Sequence, residues 1–174
     1  TLYDVAQAAG VSLATASRAL NGSARKVNDS YRDRVLAAAE RLGYTPNLSA
    51  QAVAKGASNT VALLVSDIAD PYFSSIAAGV MRGAAAAGLS VTMAVTDRDP
   101  EREIELVRVM RGQRPQVIVL AGSRLVDDPG RDALVAELEA FSSAGGRVVA
   151  ISQKQLPFDT VLIDNRAGAE ELAR

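Results

Sequence analysis

Apolar residues near the N-terminus recur every three or four positions, a spacing that predicts short amphipathic helices. Thr1 and Asp4 have the spacing of a capping box at the start of the first helix, and Gly10 is expected to end it. Ser12 suits the N-cap of a second helix, which Asn21 and the glycine after it end with turn chemistry. The inward-facing residues predicted for these two helices are Leu2, Val5, Ala6, Ala9, Ala16, Ala19 and Leu20.

A third helix and a linker follow in the pattern. The helix is predicted to begin at Asn28 or Ser30 and to end at Leu42, before a glycine. Its predicted inward-facing residues are Val35, Ala38, Ala39 and Leu42. Residues 46–59 contain Pro, Gly, Ser and Asn and are predicted to be a linker. Within it, residues 48–55 are expected to be helical only against a partner, because so short a helix is unstable alone in water.

From residue 60 onward, short β-branched apolar runs alternate with stretches of helical period. The runs are residues 61–65, 91–95, 117–120, 148–151 and 161–163. The helical stripes between them are Ile76, Val80, Met81, Ala84; Ile104, Val107, Met110; and Leu134, Leu138, Phe141. Strands that are apolar on both faces are typical of a parallel sheet buried under helices. The pattern predicts a doubly wound α/β lobe, in which Gly79 and Gly83 permit close packing of a helix on the sheet.

This division predicts three parts of the chain: a small all-α headpiece over residues 1–45, a hinge or linker over residues 46–59, and the α/β lobe over residues 60–174. Residues 1–60 carry 7 Lys and Arg against 4 Asp and Glu, and the remainder carries 12 against 16. A mildly basic headpiece therefore precedes an acidic lobe. This asymmetry permits an anionic partner for the headpiece without requiring one.

Composition excludes several function classes. The 174 residues include no Cys, His or Trp, so disulfides, thiol and histidine catalysis, and the usual zinc and haem sites are absent. The chain has no phosphate-binding glycine loop of the nucleotide-binding kinds and no nucleophile elbow. We therefore expect neither an enzyme nor a cofactor nor a metal. No apolar run approaches the ~18 residues that a membrane span needs, and we expect a cytoplasmic location.

The first two predicted helices have the spacing of a helix-turn-helix. The outward-facing residues of the second helix are Leu13, Ala14, Ser17 and Arg18. These residues stand where a recognition helix meets base edges, and Arg18 suits a bidentate contact with guanine. The short polar side chains expected at phosphates are Ser12, Thr15 and Asn21. On this pattern alone, an ordinary helical hairpin with a solvated Arg18 is almost as good an interpretation.

Further motifs occur in order along the chain. They are Thr1-Leu2-Tyr3-Asp4-Val5-Ala6, Ala9-Gly10-Val11-Ser12, Thr15-Ala16-Ser17-Arg18-Ala19-Leu20-Asn21, Val35-Leu36-Ala37-Ala38-Ala39, Leu42-Gly43-Tyr44-Thr45-Pro46-Asn47, Ala50-Gln51, Asp70-Pro71-Tyr72-Phe73 and Asp164-Asn165. Together they resemble the lactose-repressor (LacI/GalR) family over the whole chain. The resemblance implies a homodimeric bacterial transcription regulator, expected to be a repressor associated with the nucleoid. Its paired headpieces would read a pseudo-palindromic operator in double-stranded DNA. Its periplasmic-binding-protein-like body would bind a small-molecule effector, expected to be a sugar or a related metabolite.

Residue roles follow from the resemblance. Leu13, Ala14 and Arg18 would face major-groove bases, and Ser17 would lie near phosphate with the polar residues above. A hinge helix that folds on the operator would include Asn47, Ala50, Gln51, Val53 and Ala54. Val53 takes the position of a leucine that wedges into the minor groove, and its shorter side chain predicts a weaker kink. Packing against the dimer mate alone is the other interpretation.

The loop before the third helix is one residue longer and more basic than the family pattern. Its Arg25 and Lys26 are equally well interpreted as phosphate contacts or as solvated loop charges.

Effector contacts are expected where the strands end, in the crevice of an open α/β sheet. The candidates are Asp70, Tyr72, Phe73, Asp97, Arg98, Ser123 and Ser152. An aromatic ring would stack on a sugar, and the charged groups would hydrogen-bond its hydroxyls; we favour Phe73 and Asp97. The carboxylates also suit turns and helix starts, because Asp70 precedes a proline and Asp97 lies close before another.

The resemblance also implies a second lobe of similar size. The chain is therefore expected to be about half of such a protein, cut at both ends, and to bind effector weakly by itself. One alternative function is a sugar-binding transport protein without a DNA role, which would need an export signal and no helix-turn-helix. The other is a sugar-modifying enzyme on a doubly wound sheet, for which no catalytic base is evident.

Overall fold

The structure is a computed structural model that describes residues 1–21, 27–47, 52, 56, 58–122, 130–152 and 156–173. The chain forms two compact units, Thr1–Gln51 and Ala52–Arg174. Each unit is described by itself below.

The described residues of the first unit form three helices: α1 (Leu2–Ala9), α2 (Leu13–Asn21) and α3 (Asp29–Arg41). Thr1 and Asp4 form the predicted capping box, and Gly10 ends α1 with a left-handed φ of 63°. The Asn28 side chain caps α3 by accepting a hydrogen bond from the Ser30 amide at 3.0 Å. The predicted starts and ends of the helices are thus confirmed to within a residue.

Small residues make up the core of the first unit. They are Val5, Ala6, Ala9, Ala16, Val35, Ala38 and Ala39, and every helix contacts the other two. Leu42 was predicted on the inward stripe but is 48% exposed. The helix ends at Arg41, and Leu42 takes a non-helical ψ of 1° as the C-cap, so its side chain leaves the stripe.

A five-stranded parallel sheet organises the second unit. Its strands are β1 (Thr60–Val65), β2 (Ser90–Val95), β3 (Val117–Ala121), β4 (Arg147–Ser152) and β5 (Asp159–Leu162), in the order β2-β1-β3-β4-β5. The helices are α4 (Pro71–Ala86), α5 (Pro100–Gly112), α6 (Arg131–Ser143) and α7 (Asn165–Leu172). Reversal of the strand order at β1 is typical of a doubly wound sheet, so the predicted fold class is confirmed.

Alternate residues of the central strands face two separate cores. One core joins Ala62, Leu64, Ile118 and Leu120 to the buried stripes of α5 and α6. The other joins Val61, Leu63, Val65 and Val119 to Phe73, Ala77 and Ala84 of α4. The stripes predicted for α5 and α6 are therefore confirmed.

Two predictions of burial in the second unit are wrong. Met81, predicted on the inward stripe of α4, is 43% exposed, because the buried face of this helix is centred on Phe73, Ala77 and Ala84. The outermost strand β5 leaves Val161 and Leu162 exposed, and neither side chain belongs to the cores on the two faces of the sheet.

The glycines of the second unit differ in whether a side chain could be accommodated at their positions. A Cβ added at Gly79 or Gly83 would meet no atom within 4 Å, so the expectation that they permit close helix packing is wrong. A Cβ added at Gly146 would collide with the ring of Phe141, which is buried in the core. The turn from α6 into β4 thus requires the absence of a side chain at Gly146.

Matched alanine substitutions test this difference. Gly146→Ala should lower the free energy of unfolding by about 1–3 kcal/mol, because the buried Phe141 ring must move. Gly79→Ala should raise it by about 0.5–1 kcal/mol, because alanine restricts the unfolded chain and favours the helix. Urea unfolding followed by circular dichroism measures both changes, and effects of the same sign would contradict the assignment.

Candidate nucleic-acid interface and ligand crevice

One face of α2 is exposed and carries the residues predicted to read bases. Leu13 is 50% exposed, Ala14 and Arg18 are also exposed, and Ser17 is partly buried. Ala16 is fully buried in the three-helix core. Because positions four apart share a helix face, the structure brings the four candidates together on one side of α2. That face is uninterrupted, since α2 is continuous from Leu13 to Asn21.

The predicted phosphate contacts of this unit are ordered by hydrogen bonds to one another. The Ser12 hydroxyl oxygen accepts from the Thr15 amide at 3.1 Å and lies 2.9 Å from the Thr15 hydroxyl. Asn21 donates from its amide nitrogen to the Ser17 hydroxyl at 3.2 Å. Ser12 therefore caps α2, as predicted, and its neighbours hold fixed orientations. The first-turn amides of a helix also favour an anion at this end.

Two exposed side chains of the first unit, Arg18 and Tyr3, also bear on its surface chemistry. Among the residues that the structure describes, Arg18 forms no ion pair with a carboxylate. Tyr3 of α1 is also largely exposed, with a phenol free of the core. The sequence reasoning used Tyr3 only as part of a motif. Its place off the apolar stripe of α1 was the signal that marks it as a surface group.

Several predicted site residues lie outside the described part of the chain. They are Arg25, Lys26, Ala50, Gln51, Val53, Ala54 and Ser123. Asn47 is described and exposed, whereas Ser152 is described only as the last residue of β4.

An ion-paired cluster lies beyond the carboxyl ends of β1 and β2. Arg98 Nη2 is 3.5 Å from Asp70 Oδ2 and 3.8 Å from Asp67 Oδ2. Asp70 Oδ1 also accepts from the Tyr72 amide at 2.9 Å, which makes Asp70 the N-cap of α4. The structure thus joins two predicted residues, Asp70 and Arg98, and adds Asp67. The turn chemistry expected at Asp70 serves here as the start of a helix.

The backbone after β2 adopts an unusual conformation. Asp97 and Arg98 have φ values of 55° and 59°, in the left-handed region that side chains disfavour. Asp97 Oδ2 pairs with Arg102 Nη1 at 3.2 Å, and Arg102 Nε donates to the carbonyl of Val95 at 3.1 Å. Strained residues of this kind cluster at ligand sites. Here they direct two adjacent charged side chains to different ion-pair partners.

The two predicted aromatic contacts differ in accessibility. Phe73 is only 4% exposed and packs in the α4 core beside Val61 and Leu63. Tyr72 is 38% exposed, and its ring meets Phe73 edge to face at a centroid distance of 5.0 Å. The structure therefore corrects the preference for Phe73: the ring accessible for stacking belongs to Tyr72, and Phe73 supports it from the core.

Two buried polar groups outside the set of candidates also border the crevice. Ser66 and Thr96, directly after β1 and β2, are both buried. A Cβ added at Gly122, directly after β3, would lie 2.6 Å from the Ser66 hydroxyl oxygen. The ends of β1 and β3 therefore approach closely, a contact that only the pairing of non-consecutive strands reveals.

The described residues contain no cluster of acidic side chains placed to hold a metal ion. In the same part of the chain, no helix has the length and apolar content that crossing a bilayer requires.

The family model described as "Bacterial regulatory proteins, lacI family" matches residues 1–47. The HTH-type transcriptional regulator DegA of Bacillus subtilis is 33% identical over 176 residues, which cover 100% of this chain and 50% of DegA.

Solved structures give the same result. A LacI-family transcriptional regulator from Silicibacter pomeroyi matches with a TM-score of 0.77 at 35% identity, over 99% of this chain and 50% of that one. A lac repressor dimer bound to operator and the anti-inducer ONPF matches with a TM-score of 0.76 at 26% identity, over 99% of this chain and 52% of that one.

The chain thus spans about half the length of these relatives. DegA and the Silicibacter pomeroyi protein are both named as transcriptional regulators. The matches in sequence and in structure, together with a helical headpiece and a doubly wound sheet, show that this chain belongs to the LacI/GalR family of bacterial regulatory proteins.

Proposed function

We propose that the chain is the DNA-reading part, with a portion of the effector domain, of a transcriptional repressor that binds a pseudo-palindromic operator as a homodimer. The observation that carries the proposal is the exposed face of α2, where Arg18 has no carboxylate partner among the described residues. The similar lac repressor structure is a dimer bound to operator, which supports both the proposed DNA binding and the proposed dimerisation. Operator DNA lies in the bacterial nucleoid, so we place the protein in the cytoplasm.

Base reading is assigned to the exposed residues of α2. Arg18 offers paired N–H donors that match the O6 and N7 atoms of guanine in the major groove. Leu13 and Ala14 offer apolar surface that suits the methyl group of thymine. Ala16, buried beneath them, fixes the rotation of α2 about its axis, so these side chains are presented together.

Phosphate contacts are assigned to the polar ends of α2. Ser12 and Thr15 share a hydrogen-bonded pair at its N-terminus, and Asn21 is bonded to Ser17 near its C-terminus. Side chains already ordered in this way lose less entropy when they bind the DNA backbone. The exposed phenol of Tyr3 is a further donor for this surface.

The remaining DNA contacts come from segments around the headpiece. Arg25 and Lys26 are proposed as phosphate contacts. A hinge helix is proposed to enter the minor groove and to be formed by Asn47, Ala50, Gln51, Val53 and Ala54.

The crevice at the carboxyl ends of the strands is proposed to bind a small-molecule effector. We propose that this effector is a sugar. Tyr72 would stack on the apolar face of the sugar, and Arg98, held by Asp67 and Asp70, would donate to its hydroxyls. Asp97, Ser123 and Ser152 complete the proposed set. The effector is proposed to bind one conformation of the effector domain more tightly than another. The ratio of these two effector affinities limits the factor by which the effector can change the affinity for the operator.

Selection from random duplexes tests the proposed function. The chain should enrich a two-fold symmetric sequence, and its affinity should fall as salt rises, because arginine and lysine contacts release counterions from DNA. The control is the same selection with the chain fused to a dimerising coiled coil, which holds two headpieces together. Absence of any enriched sequence in both selections would overturn DNA reading.

Arginine substitution tests the direct contact to a base. Arg18→Ala should weaken binding to the selected site by about 1–3 kcal/mol and relax the preference at one base pair of each half-site. Arg41→Ala is the charge-matched control, since Arg41 is an exposed residue of α3 in the same unit. Binding titrations on single-base variants of the site measure the preference. A loss of equal size on every sequence would make Arg18 a phosphate contact instead.

Effector binding by this chain should be weak, because it spans about half the length of its relatives and the crevice is expected to be shared with the remaining half. Calorimetric titration with a panel of monosaccharides should give no binding tighter than about 1 mM, the range of only a few hydrogen bonds. Tight sugar binding by the 174-residue chain would contradict a shared crevice.

A further inference from the structure

A second cavity opens at the opposite edge of the sheet, where the strands begin. Its volume is about 830 Å³, within the range of about 300–1,000 Å³ that small-molecule sites occupy. Val117 and Arg147, the first residues of β3 and β4, both line it. Parallel strands place their amino ends at one edge, so this cavity is separate from the crevice at the carboxyl ends.

Positive charge dominates the lining of this cavity. Arg111, Arg114 and Arg147 all contribute to it. Arg111 Nη1 is 2.9 Å from Glu137 Oε2, a carboxylate that also accepts from Arg108 Nε at 2.7 Å. Among the described residues, neither Arg114 nor Arg147 has a carboxylate within ion-pair distance. The lining therefore includes two arginines without a carboxylate partner among the described residues and a third that is paired with Glu137.

Main-chain hydrogen bonds fix the points from which these side chains extend. The Arg114 carbonyl accepts from the Ser58 amide at 2.7 Å and from the Ser58 hydroxyl at 3.0 Å, and Arg114 itself has a left-handed φ of 53°. The Arg147 amide donates to the carbonyl of Gln116 at 3.0 Å. Because the main chain is already held, only the side chains of these arginines lose freedom on binding.

Apolar residues form the rest of the wall. Pro115 precedes β3, Val117 is the first residue of β3, and Ala140 lies on α6. Gly146, next to Arg147, packs so closely on the Phe141 ring that no side chain fits there. The cavity thus combines arginine residues with a small apolar surface, a lining that suits a phosphate group on an organic body.

We propose that this cavity binds a small phosphate monoester, with Arg114 and Arg147 on the phosphate oxygens and the organic body against Pro115, Val117 and Ala140. The site is separate from the proposed sugar crevice and does not depend on DNA reading. A dianion would neutralise the two guanidinium groups that have no carboxylate partner, and Arg111 would supply further donors if it left Glu137.

Nuclear magnetic resonance of the ¹⁵N-labelled chain tests the site. The probes are inorganic phosphate, phenyl phosphate and benzyl alcohol, at constant ionic strength set with sodium chloride. Phenyl phosphate should shift the amide resonances of Gly145 and Gly146, which line the cavity, saturably. It should bind more tightly than inorganic phosphate, because it also covers apolar surface, and benzyl alcohol should cause no such shift.

Matched variants assign the binding to the arginines of the cavity. Arg114→Gln and Arg147→Gln should each weaken phenyl phosphate binding by about tenfold or more, the usual loss for a charge-assisted hydrogen-bonded contact. Arg82→Gln removes an exposed charge on α4 and should leave the affinity unchanged. Glu137→Gln should tighten binding, because it removes the carboxylate that competes for Arg111. Arg114 and Arg147 are both exposed, so these two variants are expected to fold, and a thermal melt checks this. If one variant does not fold, the other is sufficient for the test.

Three results would overturn the proposal. The first is no saturable shift of the two glycine amides with either phosphate probe. The second is a loss in Arg82→Gln equal to that in Arg114→Gln and Arg147→Gln, which would mean that net charge alone attracts the anion. The third is a loss confined to Arg98→Gln, which would place the anion in the crevice at the other edge of the sheet.

Discussion

Burial of both faces of the parallel sheet is the constraint on which the second unit depends. Successive residues of β1 and β3 point to opposite sides, and both sets are aliphatic, so helices must cover the sheet twice. Right-handed crossovers that satisfy this requirement align the strands in one direction. All carboxyl ends then meet at one edge and all amino ends at the other. The ion-paired crevice and the arginine-lined cavity are consequences of this single arrangement, one at each edge.

The periodicity of apolar residues could predict the helices and strands because each buried stripe or run is formed by residues close together in the sequence. The stripes of α5 and α6 and the runs of β1 and β3 follow from neighbours only a few residues apart. Met81 and Leu42 were assigned to the wrong side because the buried arc of a helix depends on the element that covers it and on the residue at which it ends. A single stripe does not contain that information.

The candidate sites could be predicted only in part, for a related reason. Asp70 and Arg98 were found because each follows or precedes a recognisable strand or helix end. Their partner Asp67 and the burial of Phe73 depend on how α4 lies on the sheet. The arginine cavity had no signal in the sequence at all. Arg114 and Arg147 are far apart along the chain, and the pairing of Val117 with Arg147 between β3 and β4 is what brings their loops together.

The headpiece separates the residues that make the fold from the residues proposed to make contacts. Its core is built of two valines and five alanines, side chains so small that the helices approach closely and a larger residue would not fit. Leu13, Ala14 and Arg18 lie on the exposed side of the same helix whose Ala16 is fully buried. Substitution at the exposed positions leaves the core packing unchanged. A duplicated gene of this kind can therefore acquire a new binding site by mutation of a few surface codons while natural selection holds its interior constant.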